Sequence, residues 1–449
     1  MSIHFGTNGI RGRFEELSPE IALKLGKGIG RYLGKKIGVG RDGRKTGLCL
    51  KNALISGLLS VGCDVIDFDI IPSPTAEFMI KELGLDGVAV VTASHNPPEW
   101  NAIKVTDRKM IAVSRERGGK IEKIMEKAKN VKWTEVGEYR KEENAVRMHI
   151  EKIKDFIDCE GIARKNPFFI LDCGNGTASL MVELFKEIGV KVVSINDFID
   201  WRFPGRESEP TEEHLKDLKK AVVELKADGG IAWDGDGDRV VFIDERGNFV
   251  SGDKVVGLSV LKSAMDGKKG KFVTTVATSR VASDTAKKYG YTVVYTKVGA
   301  PYLSEEVVKG AAIAGEEVGG VIWPELSLAK DGFTTAAKII ELIVKNGRKF
   351  SEIVEEELPK YYFVKTKIPC KDEKKKGVME RIKKEMKKEY GKIITIDGVR
   401  ADYDGGWVIV RASGTEPIIR IFSENKEEKK AKEVMGYWME RVRKNMRSS

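Results

Sequence analysis

Three aspartates at alternate positions have the clearest chemical potential in this sequence, in the run DGDGDR at residues 234–239. Apolar stretches typical of strands lie on both sides of the run. Because glycines permit a tight loop, the carboxylates of Asp234, Asp236 and Asp238 can turn inward around one hard divalent cation. Magnesium prefers carboxylate and phosphate oxygens and usually keeps a position open for substrate. The run therefore predicts a magnesium site in a loop between two strands.

Two other interpretations of this acidic run stay open. A calcium EF-hand beginning at Asp234 would have Glu245 at its twelfth position, as that loop requires. However, Arg239 stands at the sixth position, where a glycine is needed, and the flanks look like strands and not helices. The run could also be an acidic hairpin turn that binds nothing, although three like charges in a tight loop repel one another.

A serine loop is the second candidate, in the run TASHNP at residues 92–97, at the end of an apolar strand. Ser94 lies in a turn at the carboxyl end of that strand, where open α/β sheets place their ligands. Ser94 and His95 are neighbours, and neighbouring side chains tend to diverge, so the pair does not indicate a nucleophile and its base. Downstream, Lys104 could neutralise a phosphate or relay a proton. An ordinary polar loop remains the alternative.

A third candidate is the run RASGTEP at residues 411–417, between two strand-like stretches. Backbone N–H groups around a glycine, two hydroxyls and two arginines could hold a phosphate through charge-assisted hydrogen bonds. A plain hairpin turn is the alternative. The candidate phosphate ligands are Arg411, Ser413, Gly414, Thr415 and Arg420.

Three weaker signals complete the set. The acidic, glycine-flanked loop at residues 315–320 suits hydrogen bonding to sugar hydroxyls through Glu316, although a plain turn without a binding role is an equally good interpretation. Two glycines bracket Arg11 in the N-terminal arm, which suits close approach to an anion. Lys297 is a single lysine before a loop.

The elements that must position these residues follow a repeated pattern. Strand–turn–helix–strand openings begin near residues 37, 168 and 271, which indicates three related α/β domains with largely parallel sheets. Beyond residue 365 the pattern changes to two amphipathic helices and strand-like stretches at 393–396, 407–410 and 418–422. This part is predicted to be a smaller α+β domain with an antiparallel sheet.

Composition excludes several classes of protein. Over 449 residues, 41% hydrophobic and 33% charged residues describe a globular chain of about three domains. No apolar run approaches the length of a membrane span, and no signal peptide is evident, so we expect a cytoplasmic protein. Five cysteines without a C-x-x-C pair indicate neither a disulfide framework nor a zinc site. The excess of 78 − 68 = +10 positive charges could serve nucleic acid, but it equally suits phosphorylated small molecules.

Taken in order, these motifs resemble the α-D-phosphohexomutase superfamily over essentially the whole chain, and most closely its archaeal phosphoglucosamine mutases and phosphomannomutase/phosphoglucomutases. The resemblance implies three topologically related α/β domains and a smaller C-terminal α+β domain around a central cleft. The expected domains carry, in turn, the phosphoserine, magnesium, sugar-binding and phosphate-binding loops, over residues 1–152, 153–250, 251–364 and 365–449.

The same resemblance implies a role for each candidate residue. Ser94 would carry the transferable phosphoryl group and would give one ligand to Mg²⁺, together with Asp234, Asp236 and Asp238. Arg239 would lie beside the metal, and Arg11 and Lys104 would line the reacting centre, Lys104 as the acid/base group. The remaining roles are sugar binding by Glu316, Val318 and Lys297, and binding of the non-reacting phosphate by Arg411, Ser413, Gly414, Thr415 and Arg420.

The implied reaction moves a phosphoryl group between the 6- and 1-positions of a hexose phosphate through a hexose 1,6-bisphosphate. We expect glucosamine phosphate as the substrate, with mannose or glucose phosphate as the alternative. Many relatives have a serine where this chain has Val318 and a histidine where it has Gly320, so hydroxyl recognition must rest on other groups. We expect a phosphosugar partner, no nucleic acid or membrane, and a monomer or homodimer.

Three other functions remain to be distinguished. A nucleic-acid-binding protein is supported by charge but by no recognisable binding module. A metal-dependent phosphatase would release inorganic phosphate, which a mutase conserves. An inactive structural relative is disfavoured, because Ser94 and the three aspartates are intact.

Overall fold

The computed structural model describes residues 4–6, 9–414 and 417–447. Within those residues the strands form four sheets in chain order, of six, five, four and four strands. The first three sheets combine parallel and antiparallel strands, and the fourth is entirely antiparallel. The predicted fold class of three α/β domains followed by an α+β domain is confirmed.

The first sheet has the strand order β1-β5-β4-β2-β3-β6. Its strands are β1 (Ile10–Arg13), β2 (Lys36–Arg41), β3 (Asp64–Ile70), β4 (Gly87–Val91), β5 (Trp100–Asp107) and β6 (Tyr139–Lys141). Helices α1 (Pro19–Leu33), α2 (Gly47–Leu59), α3 (Ser73–Glu82) and α4 (Arg115–Met125) accompany it. The central strand β4 is buried at all five positions and pairs with β5 in the register Val90↔Lys104. This pairing brings Lys104 close to the turn that follows β4, which contains Ser94.

The second sheet has the order β11-β10-β9-β7-β8. Its strands are β7 (Phe168–Asp172), β8 (Lys191–Ile195), β9 (Gly229–Trp233), β10 (Val240–Asp244) and β11 (Phe249–Val250). Helices α5 (Ala145–Asp155), α6 (Cys159–Lys165), α7 (Val182–Glu187) and α8 (Lys216–Glu224) belong to this region. Strands β9 and β10 form an antiparallel hairpin that closes with Trp233 opposite Val240. The acidic run occupies the loop of this hairpin, as the sequence predicts.

The third sheet has the order β13-β12-β14-β15. Its strands are β12 (Lys271–Thr275), β13 (Thr292–Thr296), β14 (Ile313–Glu316) and β15 (Gly320–Ile322). The helices are α9 (Gly252–Met265), α10 (Arg280–Lys288), α11 (Ala300–Val308), α12 (Gly332–Asn346) and α13 (Phe350–Glu357). One hydrophobic core continues from the second sheet into this region, with Trp233 stacked on Phe333 at 5.7 Å between ring centroids. The acidic loop and the predicted sugar loop are therefore supported by shared packing.

The fourth sheet has the order β16-β19-β18-β17. Its strands are β16 (Tyr362–Pro369), β17 (Val399–Tyr403), β18 (Gly406–Ala412) and β19 (Ile418–Asn425), and α14 (Asp372–Tyr390) and α15 (Glu428–Arg447) pack on it. The predicted strand at 393–396 is wrong. Only Ile394 forms a bridge, to Arg400, because the chain turns back at Asp397 and Gly398.

Two further differences concern limits. Residues 179–188 have helical spacing, but the segment starts as a 3₁₀ turn at Thr177–Met181 before α7 begins. The domain limits expected after residues 152 and 364 fall inside α5 and β16, whereas the limit after residue 250 coincides with the end of β11. Among the residues described, no helix combines the length and apolarity that crossing a membrane requires.

Candidate active site

The acidic loop is held in a tight conformation by its own backbone. Gly237 has a φ of +78°, which a residue with a side chain rarely adopts, and its N–H donates to Asp234 Oδ1 over 3.1 Å. The N–H of Arg239 donates to the same oxygen over 3.2 Å. As a result, one oxygen from each of Asp234, Asp236 and Asp238 lies within 4.8 Å of the others, and all three residues are buried.

Two of the carboxylate oxygens in this loop lack a hydrogen-bond partner. Among the described residues, Asp236 Oδ1 and Asp238 Oδ1 are buried and accept no hydrogen bond. Leaving a buried charged oxygen unsatisfied is costly, and such groups in native proteins are normally paired or coordinate metal ions. Three convergent carboxylates with unpaired oxygens fit a hard divalent cation. The donor set therefore fits the predicted metal.

Ser94 lies directly against the acidic loop. Its Oγ donates a hydrogen bond to Asp234 Oδ2 over 2.5 Å, although the two residues are 140 positions apart. Its φ of +52° falls in the left-handed region, which is uncommon for a residue with a side chain. The N–H of Ser94 is satisfied within the turn, by Thr92 Oγ1 at 3.0 Å. The first and second domains thus meet at the serine hydroxyl.

Two buried lysines balance the charge of the aspartates. Lys104 Nζ lies 2.6 Å from Asp236 Oδ2 and 3.1 Å from Asp238 Oδ2, and Lys330 Nζ lies 3.4 Å from Asp238 Oδ2. Burial alone would lower the pKa of Lys104, but the carboxylates of Asp236 and Asp238 raise it above its ordinary value. Lys104 is therefore held as an ammonium ion.

The same charges shift the pKa values of two of the aspartates in opposite directions. Burial and the neighbouring carboxylates of Asp238 and Asp236 raise the pKa of Asp234. Burial also opposes ionisation of Asp238, but Lys104 and Lys330 outweigh it and lower the pKa of that carboxyl. The two lysines therefore favour the ionised form of Asp238 over that of Asp234.

The predicted sugar loop is the tight β14–β15 hairpin, and it contacts the acidic hairpin. Gly319 has a φ of +83°, and its carbonyl accepts a hydrogen bond from the N–H of Val240 over 3.3 Å. Glu316 is buried, and its Oε1 accepts a hydrogen bond from Lys330 Nζ over 2.6 Å. Since Lys330 also approaches Asp238, one ammonium group joins the sugar loop to the metal loop.

The predicted phosphate-binding region lies at the end of β18 and β19. Arg411 and Arg420 are cross-strand partners in that ladder. Arg411 Nε donates to Asp397 Oδ2 over 2.8 Å, and the carbonyl of Ser413 accepts a hydrogen bond from Lys375 over 2.7 Å. A Cβ atom built on Gly414 would lie 3.8 Å from Nη1 of Arg115, so this loop faces the first domain. The predicted ligand Thr415 lies outside the described residues.

Models of all four domains of one protein family match this chain. The phosphoglucomutase/phosphomannomutase domains I, II and III match residues 2–132, 147–247 and 251–361, and the C-terminal domain matches residues 366–439. The chain belongs to the phosphoglucomutase/phosphomannomutase family. It is thus an isomerase of the phosphohexomutase type.

Individual relatives of the family cover almost the whole chain. A phosphoglucomutase/phosphomannomutase from Thermococcus kodakarensis is 46% identical over 442 residues, 96% of either chain. A probable phosphoglucosamine mutase from Methanopyrus kandleri is 39% identical over 449 residues, 99% of this chain and 98% of its own. The fold matches a family protein from Burkholderia thailandensis with a TM-score of 0.88 and 24% identity, covering 98% of this chain and 97% of the other.

Some predicted residues of this phosphohexomutase lie at the edge of the centre. Arg239 Nε lies 3.6 Å from Asp238 Oδ1, beside the acidic loop as expected. Arg11 is exposed and donates to Asn96 Oδ1 of the serine loop over 3.2 Å. Lys297 is exposed, with Nζ 5.5 Å from the ring centroid of Tyr302, and Val318 is half-buried in the sugar loop. The described contacts do not join Lys297 to Glu316.

Arg44 is a residue of the phosphohexomutase centre that sequence reasoning missed. Its buried guanidinium donates to the carbonyls of Ser94, Asn96 and Trp100 at 3.0, 2.6 and 3.1 Å. Ser208, from the second domain, also donates to the carbonyl of Ser94, over 2.7 Å. The turn at residues 41–44, at the end of a predicted strand, was the available signal, but the contacts join distant parts of the chain.

Lys330 and Ser73 were also missed. The hydroxyl of Ser73 donates to Asp236 Oδ2 over 2.6 Å, and its N–H donates to the Asp236 carbonyl over 3.0 Å. The aliphatic part of Lys330 lies against Gly320, where an added Cβ would be 2.5 Å from Lys330 Cδ. The absence of a side chain at position 320 therefore makes room for a lysine to reach the sugar loop.

Proposed function

We propose that this phosphohexomutase transfers a phosphoryl group reversibly between the 6- and 1-positions of a hexose phosphate, through phosphoserine at Ser94 and a hexose 1,6-bisphosphate. The preferred substrate in this proposal is glucosamine 6-phosphate. The observation that carries it is the 2.5 Å hydrogen bond between Ser94 Oγ and Asp234, which joins the candidate nucleophile to a buried three-carboxylate loop. Membership of the family agrees with this chemistry.

We assign Mg²⁺ to Asp234, Asp236, Asp238 and an oxygen of phosphorylated Ser94. When bound, the cation would neutralise and orient phosphoryl oxygens, which phosphoryl transfer needs more than covalent help from the protein. The oxygens Asp236 Oδ1 and Asp238 Oδ1, which accept no hydrogen bond from the described residues, support this assignment.

Each half-reaction exchanges one P–O bond for another. The Ser94 Oγ–P bond breaks while a bond forms between phosphorus and a hydroxyl oxygen of the hexose monophosphate. That hydroxyl loses its proton, and the Ser94 oxygen gains one. The bisphosphate then reorients end for end, and its other phosphoryl group is transferred to Ser94 in the reverse exchange. We assign Lys104 as the proton donor to the serine oxygen, because its ammonium group lies against Asp236 and Asp238 in the loop that Ser94 contacts.

Glu316 and the phosphate-binding region would hold the rest of the substrate. Glu316 can accept hydrogen bonds from sugar hydroxyls or an amino group, and Lys330 sets its orientation at 2.6 Å. Val318 has no hydroxyl to contribute, so recognition rests on Glu316, Glu317 and backbone groups. The paired strand positions of Arg411 and Arg420 suit a phosphate, which arginines bind by two parallel hydrogen bonds.

The name of the relative from Thermococcus kodakarensis supports a second candidate, a phosphomannomutase/phosphoglucomutase. The relative from Methanopyrus kandleri bears the name of the first candidate. Turnover of glucosamine, mannose and glucose phosphates by one preparation decides between them. If glucosamine 6-phosphate is the poorest of the three, the preferred substrate is wrong.

Mass spectrometry of the purified protein tests the phosphoserine directly. We expect one phosphate on the peptide that contains Ser94, and its loss, with nearly all isomerisation, in Ser94→Ala. Ser56→Ala is a matched control, since within the described part of the chain its hydroxyl donates to the Asn52 carbonyl of its own helix. Full phosphorylation of the Ser94→Ala protein, or stoichiometric release of inorganic phosphate by the wild type, would refute the proposal.

A further inference from the structure

A small hairpin of the fourth domain reaches toward the third domain. Ile394 and Arg400 exchange both backbone hydrogen bonds, at 2.8 and 2.9 Å, and the chain reverses between them at Asp397 and Gly398. Gly398 has a φ of +72°, and a Cβ atom there would lie 2.9 Å from Arg411 Cβ. A glycine is therefore required for the hairpin tip to lie this close to β18.

At the tip of this hairpin, a single carboxylate oxygen accepts two hydrogen bonds. Asp397 Oδ2 accepts from Arg411 Nε over 2.8 Å and from the N–H of Val298 over 3.1 Å. Val298 follows Lys297 in the loop between β13 and α11 of the third domain. One oxygen thus joins the predicted phosphate-binding arginine to a loop of the neighbouring domain.

The base of the hairpin is anchored firmly in the same interface. The buried guanidinium of Arg400 donates to the Val276 carbonyl over 2.9 Å and lies 4.1 Å from the ring centroid of Trp407. Val276, Trp407 and Ile409 form an apolar cluster against which Val298 also packs. Because its base is fixed on the third domain, the hairpin tip has a defined position relative to Arg411.

We infer that Asp397 is a positioning residue that orients the guanidinium of Arg411 toward the non-reacting phosphate and joins this contact to the loop at residues 297–299. The inference rests on the proposed function, since it assumes that Arg411 binds substrate phosphate. A guanidinium has five N–H donors in a fixed fork, and the bond to Asp397 uses only the one on Nε. Holding Nε directs the two terminal NH₂ groups, which can bind a phosphate in bidentate fashion.

Loss of this contact should affect binding more than the chemical step. The non-reacting phosphate is bound in the substrate complex and in the transition state alike, so weakening its contacts raises KM and leaves kcat nearly unchanged. We expect Asp397→Ala to raise KM for the hexose phosphate about 10-fold, with kcat within about 2-fold of the wild type. Asp397→Asn keeps an acceptor oxygen and should recover most of the affinity, with KM raised less than about 3-fold.

Asp402→Ala is the matched control, because it removes ion pairs of the same interface but touches neither Arg411 nor the bond from Arg400 to the Val276 carbonyl that anchors the hairpin. Asp402 Oδ1 accepts from Arg280 and Arg400, each at 3.1 Å. We expect its KM to stay within about 2-fold of the wild type. A rise equal to that of Asp397→Ala would mean that the interface as a whole, and not the orientation of Arg411, sets the affinity, and would overturn the inference.

A double-mutant cycle with Arg411→Ala completes the test. If Asp397 acts through Arg411, adding Asp397→Ala to Arg411→Ala raises KM no further, whereas independent roles would multiply the two effects. Multiplied effects, or an unchanged KM in Asp397→Ala, would overturn the inference. Failure of the proposed function would give a different result, because the wild type would then show no isomerisation. The dissociation constants of the hexose phosphate, measured by calorimetry for the four proteins of the cycle, would still test the inference.

Discussion

Two buried clusters of charge in this protein differ in one instructive respect. In α9 and α12, the ammonium groups of Lys262 and Lys345 lie 3.0 and 2.7 Å from the two carboxylate oxygens of Glu341. Lys262 and Lys338 also pair with Asp266. We call this group the structural ion cluster. Both oxygens of its glutamate are satisfied by the protein itself.

The three aspartates of the acidic loop are as buried as Glu341, but their oxygens do not all have hydrogen-bond partners in the described part of the protein. Lys104 and Lys330 approach Asp236 and Asp238, yet one oxygen of each aspartate accepts no hydrogen bond within the described residues. The serine hydroxyl of the first domain and the sugar loop of the third domain also converge on it. Burial of charge alone therefore does not indicate a metal site, whereas three convergent buried carboxylates with unsatisfied oxygens do.

The largest effect is expected for Asp236→Asn, which removes one of the predicted metal ligands. We expect isomerisation to fall at least about 100-fold, because stabilisation of charge in the transition state is lost. We also expect magnesium chloride to raise the melting temperature of the wild type but not that of Asp236→Asn. Glu341→Gln, in the structural ion cluster, serves as the control and should keep both the activity and the magnesium effect. An unchanged magnesium effect in Asp236→Asn would contradict the metal assignment.

Glu341→Gln should instead lower stability. Although burial opposes ionisation, Lys345 and Lys262 lower the pKa of Glu341 to about 2. Replacing the carboxylate leaves the buried ammonium group of Lys262 with a weaker partner, so we expect a loss of about 2 kcal/mol in the free energy of unfolding at pH 7.

The pH dependence of this loss has a definite sign. A carboxyl whose pKa is lowered by folding stabilises the protein above its ordinary pKa, and this contribution fades as the pH falls toward about 2. The difference between the wild type and Glu341→Gln, measured by denaturant unfolding, should therefore stay constant from pH 7 to about pH 5 and shrink between about pH 4.5 and pH 3. A constant difference between about pH 4.5 and pH 3 would show that the ion pairs are not its source.

The smallest effect concerns the backbone at the serine. Because Ser94 has a φ of +52°, alanine keeps the strain of the left-handed conformation and glycine relieves it. Both Ser94→Ala and Ser94→Gly should be inactive. The glycine variant should have a free energy of unfolding higher by about 1 kcal/mol, and should therefore unfold at a higher temperature than the alanine variant. Equal melting temperatures would mean that the turn is not strained at this position.

How much the sequence could predict depends on whether the signal is local. The aspartates at 234, 236 and 238 and the turn at Ser94 are visible because residue types and spacing within a few positions decide them. The alternation of strands and helices is local too, and it predicts the fold class. The wrong strand at 393–396 shows where local signals fail. Its apolar residues favour a strand, but the turn at Asp397–Gly398 and the contact with another domain prevent one from forming.

Residues whose role depends on long-range contacts were out of reach. Arg44 meets the Ser94 carbonyl across 50 positions, and Ser73 meets Asp236 across 163. Lys330 is 14 positions from Glu316, but its approach depends on the absence of a side chain at Gly320. A single arginine, serine or lysine has no local pattern that distinguishes it from a surface residue.

The division of the reacting centre between two domains has a consequence for how the chain acquires it during synthesis. The ammonium group of Lys104 belongs to the first sheet, and the aspartates that it contacts belong to the hairpin of the second, so the first domain is synthesised before these counter-ions. Burying that group alone would be costly. We therefore expect the reacting centre to form only after the hairpin of the second domain has been synthesised and has docked on the first domain.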